Sequence, residues 1–285
     1  MESSKAISKA LAQAKQILNS KGVSNAGLDS LILLAHALSF SKEQIIFNPE
    51  RQLTEGEERK FFDLINRRAA REPVSHLIGK REFFGEDFLV SRDVLDPRPD
   101  SEILIESVLK KFPDREKKLK ILELGVGSGC LIITLLKTYR DAVGTAVDIS
   151  ETALVVAQKN SEKHQTNSRL KILKSDLFSA LNHEEKFDLI ISNPPYIPAA
   201  DIEELEPEVR IHEPRTALDG GKDGLDFYRR IAAEAKNFLA ESGAIFLEIG
   251  FGQSKSVTEI FAQNDFQLTS SALDLSGVIR VLEFK

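Results

Sequence analysis

The chain has little of several residue types that would point to particular protein classes. Only 1 of its 285 residues is a cysteine, so it cannot form an internal disulfide framework, and we expect a reducing compartment. We expect this residue, Cys130, to pack at the start of a helix. The 5 histidines are scattered, and none pairs with another His or Cys at metal-ligand spacing. The sequence therefore predicts no metal site.

Long apolar runs and an excess of positive charge are also missing. No uninterrupted apolar stretch approaches the ~20 residues of a membrane span, and the residues after Met1 lack the apolar core of a signal peptide. The net charge of −6 argues against broad affinity for nucleic-acid backbones. We therefore expect a cytoplasmic, monomeric protein that does not contact membranes and does not bind nucleic acid directly.

What the chain does contain is enough apolar sequence for one large domain and one small domain, with 42% hydrophobic residues. Residues 1–80 are predicted to form an N-terminal helical domain, in which Thr54 and Glu57 have the spacing of a capping box. Residues 81–98 are predicted to form a β-hairpin linker that turns at 85–87. Residues 99–285 alternate predicted strands and helices and end in a strand pair. This pattern predicts an α/β fold with a doubly wound, mostly parallel, seven-stranded sheet.

The tetrapeptide Asn193-Pro194-Pro195-Tyr196 follows residues 187–192, an apolar run that predicts a buried strand. Each proline lacks an N–H and keeps the residue before it extended, so the loop offers carbonyl acceptors and few donors. The side-chain oxygen of Asn193 and the carbonyl of Pro194 can converge on one nitrogen, and Tyr196 supplies a flat face for stacking. The pattern predicts a binding site for a planar NH2 group. The alternative is a rigid double-proline turn without a ligand.

A glycine turn, Gly125-Val126-Gly127-Ser128-Gly129, joins a predicted strand at 119–124 to an apolar helix. Such a turn lets a ligand approach the backbone and exposes the N–H groups of a helix N-terminus. It is not the dinucleotide fingerprint, because Cys130 stands in place of the third glycine. Asp148 closes the next apolar run, where an acidic residue is the expected partner of a ribose diol. The alternative for Asp148 is a helix N-cap.

The long segment 197–223 directly follows Tyr196, and loops of this length are uncommon unless they are functional. Its prolines and its paired glycines at 220 and 221 favour defined turns, and we interpret it as a wall or lid of the substrate site. The alternative is a disordered acidic insert.

Together with these elements, several further segments carry a resemblance to a known family: residues 81–84, 94–102, 121–129, 175–178, 192–197, 213–214, 217–218, 220–225 and 247–250. The chain resembles the S-adenosylmethionine-dependent methyltransferases with a doubly wound sheet (the class I fold). Within that superfamily it resembles the HemK/PrmC family, the protein-(glutamine-N5) methyltransferases that modify peptide-chain release factors.

The resemblance implies S-adenosyl-L-methionine as the cofactor and a release factor as the substrate, methylated on the side-chain nitrogen of the glutamine in its Gly-Gly-Gln motif. It implies that the cofactor lies along residues 125–129 and next to Asn193, with its ribose on Asp148. Asp176 would accept from the adenine amino group and Leu177 would pack on the ring. Asn193, Pro194, Pro195 and Tyr196 would hold the acceptor amide, and residues 1–80 would recognise the protein substrate.

Two other interpretations remain open at this stage. Enzymes that methylate N6 of adenine or N2 of guanine in DNA or RNA share the Asn-Pro-Pro-Tyr element, and they take the base out of the stack when the substrate is a duplex. That interpretation predicts a basic cleft or a dedicated recognition domain. The second interpretation is a non-catalytic adaptor that binds the cofactor. Such a protein would be expected to have lost residues of one of the two motifs.

Overall fold

The computed structural model describes residues 5–285, which form two compact units. The first unit contains the residues up to Lys80 together with Glu206–His212, and the second contains Arg81–Leu205 and Glu213–Lys285. The short segment Glu206–His212 thus lies in the N-terminal unit, whereas the sequence assigned it to the catalytic domain. Among the helices of residues 5–285, none combines the length and the apolar character that a membrane crossing requires.

The first unit is helical, as predicted. Its helices are α1 (Ile7–Ser20), α2 (Ala26–Leu38), α3 (Lys42–Phe47), α4 (Glu55–Ala69) and α5 (Val74–Ile78), with α9 (Pro207–His212) from the later segment. Ile7, Leu34 and Phe61 are fully buried in its core. The predicted capping box opens α4, since Thr54 accepts from the Glu57 N–H and Glu57 accepts from the Thr54 N–H.

A buried ionic cluster holds α9 within the first unit. Arg68 donates from Nε to Asp29 at 2.8 Å and from Nη2 to Glu208 at 2.9 Å, and Arg71 pairs with Glu208 at 2.7 Å. Because a buried guanidinium is costly without partners, these carboxylates stabilise Arg68 in the folded unit. This contact could not be read from the sequence, because Arg68 and Glu208 lie 140 positions apart.

The second unit opens with a hairpin of β1 (Lys80–Phe83) and β2 (Glu86–Leu89). Its turn is formed by Phe84 and Gly85, whose φ angles are 51° and 76°. The predicted turn at 85–87 therefore stood slightly too far along the chain. Two-residue hairpin turns of this kind need positive φ at both central positions, and Glu102 holds Phe84 in place by accepting its N–H at 2.8 Å.

The main sheet has seven strands in the order β5-β4-β3-β6-β7-β9-β8. They are β3 (Lys120–Leu124), β4 (Val143–Asp148), β5 (Leu170–Lys174), β6 (Phe187–Ser192), β7 (Leu239–Glu248), β8 (Leu268–Leu273) and β9 (Ile279–Phe284). The first five in this order run parallel, and β9 is antiparallel to β7 and to β8. This confirms the predicted doubly wound, mostly parallel sheet.

Helices cover both faces of this sheet: α6 (Glu102–Lys111), α7 (Cys130–Thr138), α8 (Glu151–Lys163), α10 (Asp226–Ala235) and α11 (Ser254–Ala262). Successive residues of a strand point to opposite faces. Accordingly Ile121 and Leu189 belong to one buried cluster, and Leu122 and Ile190 belong to the other. Burial on both faces explains why the strands read as continuous apolar runs.

The strand register aligns the carboxyl ends of four neighbouring strands. Leu124 of β3 pairs with Val147 of β4 and with Ser192 of β6, and Ser192 pairs with Leu247 of β7. The next residues along these strands are therefore neighbours at one edge of the sheet: Gly125, Asp148, Asn193 and Glu248. Ligands of open α/β sheets bind at this edge, where the strand order reverses.

The segment 197–223 folds into short elements. It contains 3-10 turns at Asp201–Glu204 and Arg215–Ala217, with α9 between them. Its two ends are tied together, because Ile197 donates to the Leu218 carbonyl at 3.0 Å and Gly220 donates to the Ile197 carbonyl at 2.9 Å. The structure therefore agrees with the prediction of defined turns and not with a disordered insert.

Candidate active site

A cavity of about 970 Å³, including space open to solvent, lies at the carboxyl edge of the sheet. Many of the residues predicted for the site line it: Gly125, Val126, Gly127, Ser128, Asp148, Asp176, Leu177, Asn193 and Pro195. The lining, all of it within the second unit, does not include the predicted Gly129, Pro194 or Tyr196.

The glycine turn contributes open space to the cavity and few free donors. A Cβ added to Gly125 or Gly127 would meet nothing within 4 Å, and both residues have positive φ, 74° and 51°. However, Gly125 and Val126 both donate their N–H to the Val147 carbonyl, at 2.9 and 3.0 Å. The N–H groups of Gly125 and Val126 are therefore bonded to the adjacent strand β4 and are not available to a ligand.

Gly129 has a different function in the turn. It is the N-cap of α7 with φ of 79°, and a Cβ there would stand 3.0 Å from Ile133 and 3.5 Å from Ala157. Glycine is needed at this position both for the left-handed backbone and for close packing of α7 and α8. The neighbouring Ser128 carbonyl accepts from the buried Asn160 at 2.9 Å, which anchors the turn to α8.

Asp148 braces the glycine turn. Its Oδ2 accepts the Gly127 N–H at 3.0 Å, and its Oδ1 accepts the Ser150 N–H at 2.9 Å. The N-cap of α8 is Ser150, whose hydroxyl accepts from Ala153 at 3.2 Å. The alternative interpretation of Asp148 as the N-cap is therefore wrong. Carboxylate oxygens have several lone-pair sites, so Asp148 keeps acceptor capacity toward the cavity that it lines.

Glu123 is a second acidic residue in the cavity wall. It is 2% exposed, and its Oε2 accepts the Ile132 N–H at 3.2 Å near the start of α7. Burial raises the pKa of Glu123 well above its usual range, and the neighbouring Asp148 adds to this. A cationic group bound beside this carboxyl would lower its pKa again and favour the ionised form.

At the end of β5, Asp176 and Leu177 form the other wall. Leu177 is buried and has φ of 49°, a conformation that non-glycine residues rarely adopt. Its carbonyl accepts the Ser175 hydroxyl at 2.7 Å, which stabilises this conformation. Asp176 accepts from Arg230 at 2.8 Å through Oδ1. The structure thus places an apolar side chain and a carboxylate next to each other in the cavity wall.

The Asn193 carboxamide lies across the sheet edge from this wall. Its Nδ2 donates to the Ser101 hydroxyl at 3.1 Å. Within residues 5–285 its Oδ1 accepts no hydrogen bond, although Asn193 lines the cavity. The amide is therefore tethered through its nitrogen and retains a free acceptor.

The loop that carries Pro195 and Tyr196 is buttressed by backbone on two sides. A Cβ on Gly220 would lie 2.8 Å from the Pro195 carbonyl and from the Tyr196 Cα, and one on Gly224 would lie 2.3 Å from the Tyr196 carbonyl. Gln253 donates to that same carbonyl at 2.9 Å. The 220–225 segment therefore needs its glycines because it packs directly against this loop.

Beneath this loop, Tyr196 packs against the second apolar cluster of the sheet. A Cβ on Gly250 would approach its ring to 3.0 Å. Burial raises the pKa of Tyr196 to about 12, so the phenol is neutral at physiological pH.

Arg98, in the cavity wall, forms an ion pair with the segment after α9. Its Nη2 donates to both carboxylate oxygens of Glu213 at 2.7 Å. The Glu213 side chain is almost inaccessible, and burial raises its pKa to about 7 in spite of Arg98. This pair holds Pro214, Thr216 and Ala217 at the cavity, which they line.

Sequence reasoning gave no role to Ser101, Glu248, Arg98 or Gln253, all of which contact or surround the predicted site residues. Three of them lie in segments 94–102 and 247–250, which carried the family resemblance. The sequence did contain one indication of Glu248 as a site residue: like Asp148 and Asn193, it stands at the end of an apolar strand.

Comparison with known proteins agrees with this geometry. Residues 9–79 match the family model of the PrmC N-terminal domain, and residues 87–263 match that of the methyltransferase small domain. The chain is 40% identical to a release factor glutamine methyltransferase of Agrobacterium fabrum, over 98% of this chain and 97% of that protein. The chain belongs to the release factor glutamine methyltransferase family.

A second member of this family, from Geobacter sulfurreducens, is 41% identical over 97% of this chain and 95% of its own length. The crystal structure of a methyltransferase from Pyrococcus furiosus aligns with a TM-score of 0.55, over 77% of this chain and 97% of that one. At 20% identity this likeness concerns the fold alone. Membership of the release factor glutamine methyltransferase family confirms the resemblance that the motifs indicated.

Proposed function

We propose that this chain transfers a methyl group from S-adenosyl-L-methionine to the side-chain amide nitrogen of the glutamine in the Gly-Gly-Gln motif of peptide-chain release factors. The observation that carries the proposal is the convergence on one cavity of the glycine turn, Asp148 and Asn193. Family membership supports the same reaction.

The residues of the cavity fit the cofactor. The Cβ-free surface at Gly125 and Gly127 leaves room for a ligand against the backbone. Asp148 would accept from the ribose hydroxyls, and Glu123, which lines the cavity, would accept from the ammonium group. Asp176 would accept from the adenine amino group, with Leu177 against the ring. Asn193 lines the same cavity and would lie next to the cofactor.

When bound, S-adenosyl-L-methionine supplies an electrophilic methyl group on a sulfonium. The residues of the 193–196 loop then have to make a poor nucleophile reactive, because the lone pair of an amide nitrogen is delocalised. Asn193 Oδ1 and the Pro194 carbonyl would accept the two N–H groups, orient the nitrogen and stabilise the positive charge that develops on it. Tyr196, Pro195 and the glycine buttress keep these acceptors in place.

The first unit would recognise the release factor. The cavity lining contains no residue from positions 5–80, so the cofactor residues are all supplied by the second unit. The match of residues 9–79 to the PrmC N-terminal domain supports a family-specific function for this unit. Segment 213–217, placed by the Arg98–Glu213 pair, would form the wall next to the acceptor glutamine.

The test is incubation of the purified chain with isotope-labelled S-adenosyl-L-methionine and a release factor, followed by mass spectrometry of the peptides. The expected product carries one methyl group on the glutamine of the Gly-Gly-Gln motif. A release factor in which that glutamine is replaced by alanine is the matched control and should remain unlabelled. Label in DNA or RNA but not in the release factor would instead favour a nucleic-acid methyltransferase.

The variant Asn193→Ala tests whether the Asn193 side chain accepts a hydrogen bond from the substrate amide. Loss of a contact that is specific to the transition state costs on the order of 100-fold or more in turnover, while the affinity for the cofactor should change little. Asn193→Asp keeps an oxygen but adds a charge beside the sulfonium, and it should bind the cofactor at least as well while turning over slowly. Wild-type turnover in Asn193→Ala would remove Asn193 from the mechanism.

A further inference from the structure

A buried carboxyl with no role in cofactor binding lies next to Asn193. Because Ser192 pairs with Leu247, the following residues Asn193 and Glu248 end neighbouring parallel strands. Glu248 is 2% exposed and does not line the cavity. A buried carboxyl is costly unless it is hydrogen-bonded, so the groups around Glu248 have to stabilise it.

Ser101 and Asn193 are close enough to Glu248 that hydrogen bonding to their side chains lowers the pKa of its carboxyl. Asn193 Nδ2 also donates to Ser101 Oγ at 3.1 Å. An ionised carboxyl can only accept, so both neighbours must turn a donor toward it. The Ser101 hydroxyl can donate its one proton to the carboxyl while its oxygen accepts from Asn193. In residues 5–285, Glu248 Oε2 has no hydrogen-bond partner, so acceptor capacity remains at this carboxyl.

Charged groups around Glu248 stabilise this arrangement. Arg280 pairs with Asp100 at 3.3 Å, which holds the turn Pro99–Ser101 that carries Ser101. Burial raises the pKa of Glu248 to about 7, while the charge of Arg280 lowers it and that of Asp100 raises it. The other titratable groups that face Glu248 are Tyr196, Tyr228 and Cys130. Burial raises the pKa of each of them, so they stay neutral near neutral pH.

We infer that Ser101 and Glu248 are positioning residues that fix the orientation of the Asn193 carboxamide, with its NH2 group toward the protein and its oxygen toward the acceptor. If the amide were rotated by half a turn, it would present two donors to the NH2 group of the substrate, and no hydrogen bond could form between them. The acceptor-only carboxylate of Glu248 is what forbids that rotation. This inference rests on the proposed function of Asn193 as the acceptor for the substrate amide.

Glu248→Gln tests the inference in the full-length chain. A glutamine can present either an oxygen or an NH2 group, so the orientation of Asn193 is no longer determined. Hydrogen-bond partners that orient metal ligands typically contribute about 10- to 100-fold to activity, and we expect an effect of the same order for the partners of Asn193. We expect kcat with the release factor to fall by that factor, while the affinity for S-adenosyl-L-methionine changes by less than about threefold. Glu283→Gln is the matched control, because Glu283 is a buried carboxyl on β9 that pairs with Lys111, and it should leave kcat unchanged.

Two further measurements separate positioning from simple destabilisation. Ser101→Ala should lower kcat, and Ser101→Thr, which keeps the hydroxyl, should restore it. In the wild type and in Ser101→Ala, kcat should decline as the pH falls below about 7, because Glu248 becomes protonated. In Glu248→Gln that decline should be absent.

The orientation of the amide can also be measured without any acceptor. In the protein selectively labelled with 15N-asparagine, the side-chain NH2 signals of Asn193 are identified by their loss in Asn193→Ala. They should show slow proton exchange in the wild type and should move to free-amide positions in Glu248→Gln and Ser101→Ala. Unchanged signals and unchanged kcat in these two variants would overturn the inference. If the signals change but the release factor is not methylated, the inference on the orientation of Asn193 stands and only the proposed substrate is rejected.

Discussion

The Asp148 carboxylate accepts the backbone N–H of Gly127 at 3.0 Å, so the residue predicted to hold the ribose also shapes the turn beside it. The two functions can be separated by substitution. Asp148→Ala removes both, whereas Asp148→Asn can keep the contact to Gly127 through its carbonyl oxygen but replaces the other acceptor with a donor.

We expect both Asp148 variants to bind S-adenosyl-L-methionine at least tenfold more weakly, since a charged hydrogen bond is worth about 1.5–3 kcal/mol. Isothermal titration calorimetry measures this. Asp188→Ala is the control, because Asp188 also accepts a backbone N–H, from Lys120 at 2.8 Å, but does not line the cavity. Full affinity in Asp148→Asn would mean that the carboxylate braces the turn and does not contact the ribose.

Gly224 and Gly252 form a matched pair for testing the buttress of the 193–196 loop. Both have positive φ, 75° and 78°, but only a Cβ on Gly224 would collide with backbone, at 2.3 Å from the Tyr196 carbonyl. Alanine at either position costs about 1–2 kcal/mol for the left-handed conformation. Only Gly224→Ala should also reduce kcat, by about 100-fold, because a displacement of about 1 Å at a reacting group is that costly. Equal activity in the two variants, measured by methyl transfer, would argue against the buttress.

In the first unit, Asp29→Ala should be strongly destabilising. It leaves Arg68 buried with Glu208 as its remaining carboxylate partner, and breaking a buried ion pair costs about 3 kcal/mol or more. Hydrogen exchange should show lost protection in α2 and α4, while β3 and α7 keep theirs. Arg67→Ala breaks an exposed pair with Glu72, which lies just after the end of α4, and should cost less than about 1 kcal/mol.

The same Asp29 variant tests whether the first unit recognises the substrate. Near the melting temperature of that unit, methylation of the whole release factor should fall while binding of the cofactor persists. Loss of both activities together would show that the second unit depends on the first.

The stability of the protein should depend on pH through Glu248. Its pKa is about 7 in the folded protein against an ordinary value of 4.5, so the folded state keeps a proton that the unfolded state releases between these values. Stability from this group is therefore full below pH 4.5, falls as the pH rises toward 7 and is constant above that. The total is at most about 3.5 kcal/mol, at about 1.4 kcal/mol for each pKa unit.

Glu248→Gln cannot titrate, so the difference between its melting temperature and that of the wild type should grow in favour of the variant from pH 5 to pH 8. Glu283→Gln again serves as the control, because Lys111 and Ser270 lower the pKa of Glu283 in spite of its burial. The difference between the melting temperatures of Glu283→Gln and the wild type should therefore not grow in favour of the variant as the pH rises. A constant difference for Glu248→Gln across this range would show that Glu248 stays ionised in the folded protein.

Local patterns in the sequence predicted much of this molecule. The capping box at Thr54 and Glu57, the buried strands, the glycine turn and the position of Asn193 after a strand all depend on residues that are close in sequence. The hairpin turn was misplaced because alternating apolar residues do not determine which two residues take positive φ. The sequence did not decide which residue is the N-cap of α8, because Asp148 and Ser150 are both good capping residues and only the geometry distinguishes them.

By itself, the sequence determined the alternation of strands and helices, the helical character of the N-terminal unit and the family, because periodicity and motifs are properties of neighbouring residues. Only the tertiary structure decided which distant groups meet: Ser101 with Asn193 across 92 positions, Gly224 against Tyr196, and Glu208 with Arg68. These contacts follow from strand register and from the closure of long loops. Both are set by the packing of the whole core, and no short segment contains that information.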